Sequence, residues 1–355
     1  MNKYTIILSL MLLQSCVNKN KEITPQINSI ELPTPFSILA QEAKLYKSRT
    51  DNAVYFLFGN YANTIYKYNL TLKTCEDSFV ISSKVGMIED FQLVNDTFIF
   101  HLYNTSIFAL QPIKDSALCQ VYRYPEMYNN KYISYGSVYY NGLLYARFPN
   151  DTIVGTKKGW AKHFDNPFIN VFKFEADSVR NIASFGNYPN ECKTGLLVSL
   201  MHKFPEPIKN KIYASHEYSE SLEVYDLNTK AMSNFKLSSN YFKPIKLVPE
   251  DKIGDSYYVY RKINNNAFVD LIYNPVRKEF YRYFIHQLKE NADDLASIII
   301  YNEETKTTSE VVIKREDYTR ACQIFPTEKG FALLRNLTTK KSKKQPLAVD
   351  EFILD

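Results

Sequence analysis

The feature that most constrains this chain is a strand-and-turn pattern that recurs along nearly its whole length. Short runs of β-forming residues occupy 53–58, 64–69, 97–103, 106–110, 143–148, 170–174, 211–215, 222–227 and 256–261. They continue at 268–273, 279–284, 297–301, 309–314 and 330–335. Turn formers separate them, among them Asn141-Gly142, Asn228-Thr229, Asn264-Asn265-Asn266 and Asn274-Pro275. No long helical periodicity competes, apart from a turn or two near residues 285–294. The pattern predicts an all-β fold.

A longer rhythm overlies the short one. Ile65-Tyr66-Lys67-Tyr68-Asn69-Leu70 precedes Thr71-Leu72-Lys73. Leu222-Glu223-Val224-Tyr225-Asp226-Leu227 precedes Asn228-Thr229-Lys230, and Leu271-Ile272-Tyr273-Asn274-Pro275 precedes Val276-Arg277-Lys278. Each unit is a strand ending in an aromatic and Asn or Asp, then a tight turn. Tyr225 to Tyr273 is 48 residues and Tyr68 to Tyr225 is 157, near three such units. A four-stranded propeller blade takes about 40–50 residues. The predicted fold is therefore a β-propeller of seven blades with one degenerate; six blades is the close alternative. Inner strands are expected near residues 44, 88, 133, 197, 244 and 321, with the short blade between 285 and 315. A last strand near 349–354 would share a blade with one near 26–32 and remove the free edges. Independent β-sandwich domains are the rival architecture.

The first sixteen residues read as an address. Lys3 supplies a positive start, Tyr4 to Leu13 an apolar stretch, and Leu13-Gln14-Ser15-Cys16 a small-residue end. That is a secretory signal, too short to span a bilayer. It resembles the lipobox of bacterial lipoproteins, in which the cysteine thiol takes a diacylglycerol. The expected organisation is a signal peptide over 1–15, a lipidated N-terminus and polar tether over 16–35, and one propeller domain over 36–355. Cys16 is the expected lipidation site, and acyl chains on it would anchor the protein to membrane lipid. Val17, rather than Asp, follows the cysteine. By resemblance to lipoprotein sorting this places the protein in the bacterial outer membrane, on the periplasmic face ahead of the cell surface.

Charge narrows the partners. Lys+Arg is 43 against Asp+Glu 38, a net +5 spread over 355 residues. Nucleic-acid-binding proteins carry a basic face or stripe, so no nucleic-acid partner is expected. The densest basic run, Lys340 to Lys344, reads as a solvated loop or a contact with anionic lipid or glycan. Tyr (28) and Phe (23) far exceed Trp (1), which suits half-buried pleated surfaces better than a sugar-stacking platform.

The search for chemistry returns little. His101, His163, His202, His216 and His286 form no HxH or HExxH motif. No G-x-S-x-G elbow, phosphate loop or Asp-rich calcium loop occurs. No catalytic residue, metal ligand or cofactor is predicted. Asp293-Asp294 and Glu303-Glu304 read as solvated acids. Cys75, Cys119, Cys192 and Cys322 are widely spaced, without CxxC. Export permits disulfides, yet each lies in or near an apolar segment, which points to buried free thiols. One long insertion, 148–168, holds the only Trp, Trp160, with Lys157, Lys158, Lys162, His163 and Asp165. Long loops on rigid scaffolds often carry binding. Trp160, Lys157, Lys158, His163 and Asp165 form the candidate ligand loop, set against a loop whose Trp packs onto the domain. Asp115-Ser116-Ala117, Asp151-Thr152-Ile153 and Asp177-Ser178-Val179 resemble short O-glycosylation sites of exported Bacteroidota proteins.

Three segments carry a wider resemblance: Tyr273 through Phe284, Phe185-Gly186-Asn187-Tyr188-Pro189, and Ser297-Ile298-Ile299-Ile300-Tyr301. With the signal, tether and length, they make the chain similar to an uncharacterised Bacteroidota lipoprotein family with a TolB-like β-propeller domain. That family supplies no catalytic residues to carry over. Arg282, within the first segment, reads as a ligand contact or as the partner of a neighbouring acid. The favoured function is a noncatalytic envelope binding or scaffold module with a protein or glycan partner. A hydrolase or lyase acting on carbohydrate or lactone at the channel mouth, and a structural subunit of an outer-membrane complex, are the alternatives.

Overall fold

The computed structural model describes residues 19–33, 43–47, 53–58, 63–102, 107–123, 137–146, 167–176, 178–186, 207–217, 219–243, 266–286, 294–318, 324–335 and 347–354. They form an all-β structure of six sheets. The N-terminal segment carries β1 (Lys21–Glu22) and β2 (Gln26–Leu32). The first sheet holds β3 (Ala43–Lys47), β4 (Ala53–Phe58), β5 (Thr64–Asn69) and β6 (Thr74–Val80). The second holds β7 (Ile88–Val94), β8 (Thr97–Leu102), β9 (Ile107–Pro112) and β10 (Gln120–Arg123). The third holds β11 (Ser137–Tyr140), β12 (Leu143–Ala146), β13 (Ile169–Phe174) and β14 (Val179–Phe185). In the fourth, the described strands are β15 (Lys211–Ser215), β16 (Ser221–Asp226) and β17 (Met232–Lys236). The fifth holds β18 (Ala267–Asn274), β19 (Glu279–Ile285), β20 (Leu295–Asn302) and β21 (Thr308–Lys314), with β1 on its outer edge. The sixth holds β22 (Ile324–Thr327), β23 (Gly330–Leu334) and β24 (Leu347–Ile353), with β2 outermost.

Six hydrophobic clusters close these sheets into a ring. Val54 and Phe56 of β4 face the sixth sheet, packing with Phe325, Leu334 and Val349. Their neighbours Tyr55 and Leu57 face the second sheet, packing with Phe91, Phe98 and Phe100. Ile99 and Phe108 meet Leu144 and Phe172 between the second and third sheets. Ile169 and Val171 meet Ile212 and Tyr225 between the third and fourth. Leu222 meets Phe280 and Phe284 between the fourth and fifth, and Tyr281 and Ile298 meet Phe331 and Phe352 between the fifth and sixth. Successive side chains of a strand point to opposite faces, so a strand buried on both sides reads as a continuous apolar run. This is why Ala53–Phe58 and Glu279–Ile285 are almost wholly buried. A closed cycle of sheets, each packed on two neighbours, is a propeller and not a chain of sandwiches.

The blade count is six. A short separate blade is expected between 285 and 315; the strands there, β20 and β21, extend the fifth sheet instead. β20 pairs with β19 from Glu279↔Asn302 to Ile285↔Ala296, which leaves no edge for an independent blade. Inner strands also follow the expected order in part. β3, β7, β18 and β22 lie beside one another around the axis, with β15 beside β18. β3, β7, β11 and β22 fall close to the expected 44, 88, 133 and 321; residues 197 and 244 lie outside the described residues. The first described strands of the fourth and fifth sheets begin later, at Lys211 and Ala267. The 48-residue step from Tyr225 to Tyr273 leads from one sheet to the next.

The ring is sealed by the two ends of the chain. β2 pairs antiparallel with β24 from Gln26↔Ile353 to Leu32↔Leu347, as the sequence predicts. Asp350 fixes this seam: its carboxylate accepts from Ser29 Oγ at 2.6 Å and Tyr318 OH at 3.3 Å, and pairs with Arg335 Nε at 3.3 Å. The segment assigned to the tether thus contains two strands. At Gly330 in β23 a side chain has no room, since a Cβ there would lie 2.2 Å from the Phe352 carbonyl oxygen of β24.

Candidate functional site

Cys16 and the candidate ligand loop (Trp160, Lys157, Lys158, His163 and Asp165) lie outside the described residues, as do Cys192, Cys322 and the Lys340–Lys344 run. What the structure brings together instead is a polar seam inside the interface of the fourth and fifth sheets. Strand pairing builds it. Arg282 of β19 stands opposite Ile299 of β20, and Ile299 opposite Glu310 of β21. Paired residues share one face of a sheet. Arg282 and Glu310 therefore both face the fourth sheet, and both are fully buried.

Arg282 answers neither reading offered from the sequence. Its guanidinium donates to the backbone carbonyls of His216 (3.1 Å), Ser219 (2.7 Å), Glu220 (3.2 Å) and Leu237, and to Ser215 Oγ (3.1 Å). The guanidinium carbon lies 3.5 Å from the centre of the Phe268 ring, a cation–π contact. Burial pushes its pKa well below the ordinary guanidinium value, opposed by the charge of Glu220. Five donors in a planar fork suit this task of gathering loop carbonyls. Arg282 is a clamp that holds Ser215, His216, Ser219, Glu220 and the end of β17 onto the fifth sheet.

Glu310 does the matching work with acceptors. It takes Ser239 Oγ, the Asn240 backbone N–H at 2.9 Å and Asn20 Nδ2 at 3.3 Å. Asn20 and Asn240 then bond reciprocally. The Asn20 N–H donates to Asn240 Oδ1 at 2.8 Å, and Asn240 Nδ2 to the Asn20 carbonyl at 2.9 Å. Asn20 Nδ2 also reaches the Ser238 carbonyl at 2.7 Å. One residue on, Lys21↔Ser309 and Glu22↔Glu310 pair in parallel, and the Ile23 N–H donates to the Glu310 carbonyl. Tyr241 OH donates to Glu22 at 2.8 Å while its ring stacks on His286 at 4.3 Å.

His286 and Ser297 resemble a base and nucleophile by distance alone, with Nε2 2.6 Å from Oγ. The environment argues otherwise. Ser297 is fully buried. Burial pushes the His286 pKa down to about 4, against the raising effect of Glu22. A neutral imidazole of that pKa is a weak base near pH 7. The bond satisfies two buried polar groups. His216 is buried in the neighbouring interface, edge-on to Phe168, with Nε2 3.6 Å from Glu223.

A second polar cluster ties the fifth sheet to the sixth. Asn274 Nδ2 donates to the carbonyls of Thr327 (2.8 Å) and Gly330 (3.0 Å). Glu279 accepts from Tyr281 OH at 2.7 Å and from Arg277 Nε at 2.8 Å. Sequence reasoning passed over Glu310, Asn20 and Glu279. The usable signal was an isolated charge inside an apolar strand, as in Ser309-Glu310-Val311-Val312-Ile313, because such a charge must find partners when buried.

Other candidates resolve individually. Cys119 is buried in the core between the first and second sheets. Cys75 is exposed, against the expected burial, because it sits on β6, the outermost strand of its sheet. Asp115 caps a 3-10 turn at Ser116–Leu118, its Oδ1 accepting the Ala117 N–H at 2.9 Å. Among the described residues no group of three or more His, Cys, Asp or Glu is placed to hold a metal ion. No helix among them is long and apolar enough to cross a membrane.

Comparison with solved structures agrees on architecture. A member of the DUF4221 family from Bacteroides vulgatus superposes with a TM-score of 0.69 over 94% of this chain and 99% of its own, at 13% identity. A Bacteroides fragilis protein named as an exported protein gives 0.60 over 95% and 99%, at 9% identity. What the three chains share is the propeller fold. No family model and no curated protein sequence matches this chain.

Proposed function

We propose that this protein is a lipid-anchored envelope propeller that serves as a noncatalytic binding or scaffold module. The observation that carries the reading is the use made of its buried polar side chains. Arg282, Glu310, Asn274 and Asp350 are spent on bonds between neighbouring sheets or along the closing seam, and Glu279 on bonds within the fifth sheet. The Ser297–His286 pair is sealed and weakly basic. A ring stiffened in this way presents loops on a rigid frame, which suits recognition. Fold alone does not choose a function, since propellers host many. The anchor rests on the signal ending at Cys16, and the envelope location follows from it. That a protein of similar fold from B. fragilis is named as exported is in keeping with that location.

The test is a thermal-unfolding screen of the purified chain against envelope glycans and peptidoglycan fragments. A specific ligand at a hundredfold excess over its Kd adds about 2.7 kcal/mol of stability. Saturable stabilisation without turnover supports the reading. Release of product from a glycan or lactone by the pure chain would overturn it.

A further inference from the structure

The N-terminal lock sets how close the propeller sits to a membrane. Asn20 is pinned by its reciprocal bonds to Asn240 and its bonds to Ser238 and Glu310. β1 and Ile23 continue that attachment along β21, and Tyr241 secures Glu22 from the other side. Cys16 precedes Asn20 by four residues, and four residues of fully extended chain span ~14 Å at most. A domain of this length is about 50 Å across. The leash is therefore short against the body it holds, and it emerges from the outer edge of the fifth sheet, away from the ring axis. Exposed Lys19 and Lys21 flank Asn20, and the one acid beside them, Glu22, accepts the Tyr241 hydroxyl. Clustered lysines next to an anchor favour an anionic surface.

We propose that the outer rim of the fifth sheet, around Lys19, Asn20 and Lys21, is the surface that rests on anionic lipid headgroups when Cys16 is acylated. This rests on the lipid-anchor reading above. It replaces a stand-off tether with edge-on seating. Both ends of the ring axis then open sideways, parallel to the membrane and accessible from water.

The full-length acylated chain is reconstituted in vesicles of phosphatidylethanolamine and phosphatidylglycerol and treated with an amine-acetylating reagent. The Cys16→Ala chain in solution is the reference, and mass spectrometry reads each lysine. Lys19 and Lys21 are expected to lose reactivity several-fold on vesicles. Lys73 and Lys114, exposed on the first and second sheets, keep theirs. The N-terminal peptide reports acylation in the same experiment. An acylated Cys16 with all four lysines equally reactive overturns the contact surface and leaves the anchor standing. A Cys16 without acyl mass overturns both.

Discussion

Arg282 shows how much one residue organises here. It lies in Phe280-Tyr281-Arg282-Tyr283-Phe284, a charge among aromatics; of its four carbonyl partners, Glu220 also accepts the Leu237 N–H and His216 the Ser219 N–H, which leaves Ser219 and Leu237 most dependent on it. Arg282→Met keeps the apolar stem and removes the fork. The expected cost is about 3–5 kcal/mol, from buried acceptors left without donors; a urea midpoint unchanged from wild type would contradict the clamp. The sequence showed that Arg282 needed partners, but backbone carbonyls leave no mark in a sequence, so an acid or a ligand was the natural guess. Buried histidines give a second residue-scale prediction. Burial pushes His101 and His286 down to about 4, opposed by Asp90 and Glu22 respectively. In the unfolded chain an imidazole titrates near 6.5. As pH falls, the unfolded state takes up protons first, so stability is complete above pH ~6.5 and declines toward pH ~4. The loss is at most about 3 kcal/mol per histidine. Urea midpoints at pH 7 and 4.5 measure it, and His286→Gln should lessen the slope.

At the scale of elements, the recurring strand-turn unit has one physical basis. The carboxamide or carboxylate at the strand end accepts two backbone N–H groups of the turn. Asn69 Oδ1 takes those of Thr71 and Leu72, and Asp226 Oδ1 those of Asn228 and Thr229. Asn274 Oδ1 takes those of Val276 and Arg277. Four residues after each acceptor a lysine adopts a left-handed backbone: Lys73 at φ 55°, Lys230 at 59° and Lys278 at 54°. Asn302 and Lys306 (φ 57°) form a fourth copy. That copy was hidden because Glu303-Glu304 looked like a plain solvated pair. In fact Glu303 accepts Tyr273 OH at 2.7 Å, and Glu304 pairs with Lys278. A left-handed lysine carries strain that glycine avoids. Lys230→Gly is therefore expected to raise stability by up to about 1 kcal/mol, measured as a shift in urea midpoint; a clear loss would show that the lysine stem contributes more than its backbone costs. Strands and turns were legible because period-two patterning and Asx chemistry are local. Which strand joins which sheet was not, because pairing depends on residues far apart.

At the scale of the whole molecule, ring closure was legible and blade number less so. Dividing length by a typical blade gave seven. The fifth sheet takes in residues 295–314 and adds β1, so fewer blades absorb the same chain. Deleting residues 1–32 removes β2 and leaves β24 with a bare edge. That variant is expected to lose cooperative unfolding, while deletion of residues 1–24 keeps it; circular dichroism in urea distinguishes them, and equal transitions would mean the ring does not depend on β2. The β2–β24 seam also sets a clock on biosynthesis. Gln26 and Ile353 pair across 327 positions of chain. Loop-closure entropy grows only logarithmically, so this costs about 1.7 kcal/mol more than closing a 50-residue loop. Time is the larger burden. At translation rates of about 5–20 residues per second, β2 waits roughly 15–65 s for its partner. An orphan strand over that interval invites the wrong neighbour. Its sequence, Gln26-Ile27-Asn28-Ser29-Ile30-Glu31-Leu32, spaces each apolar residue with a polar one, which keeps it a poor template for aggregation until the C-terminus arrives.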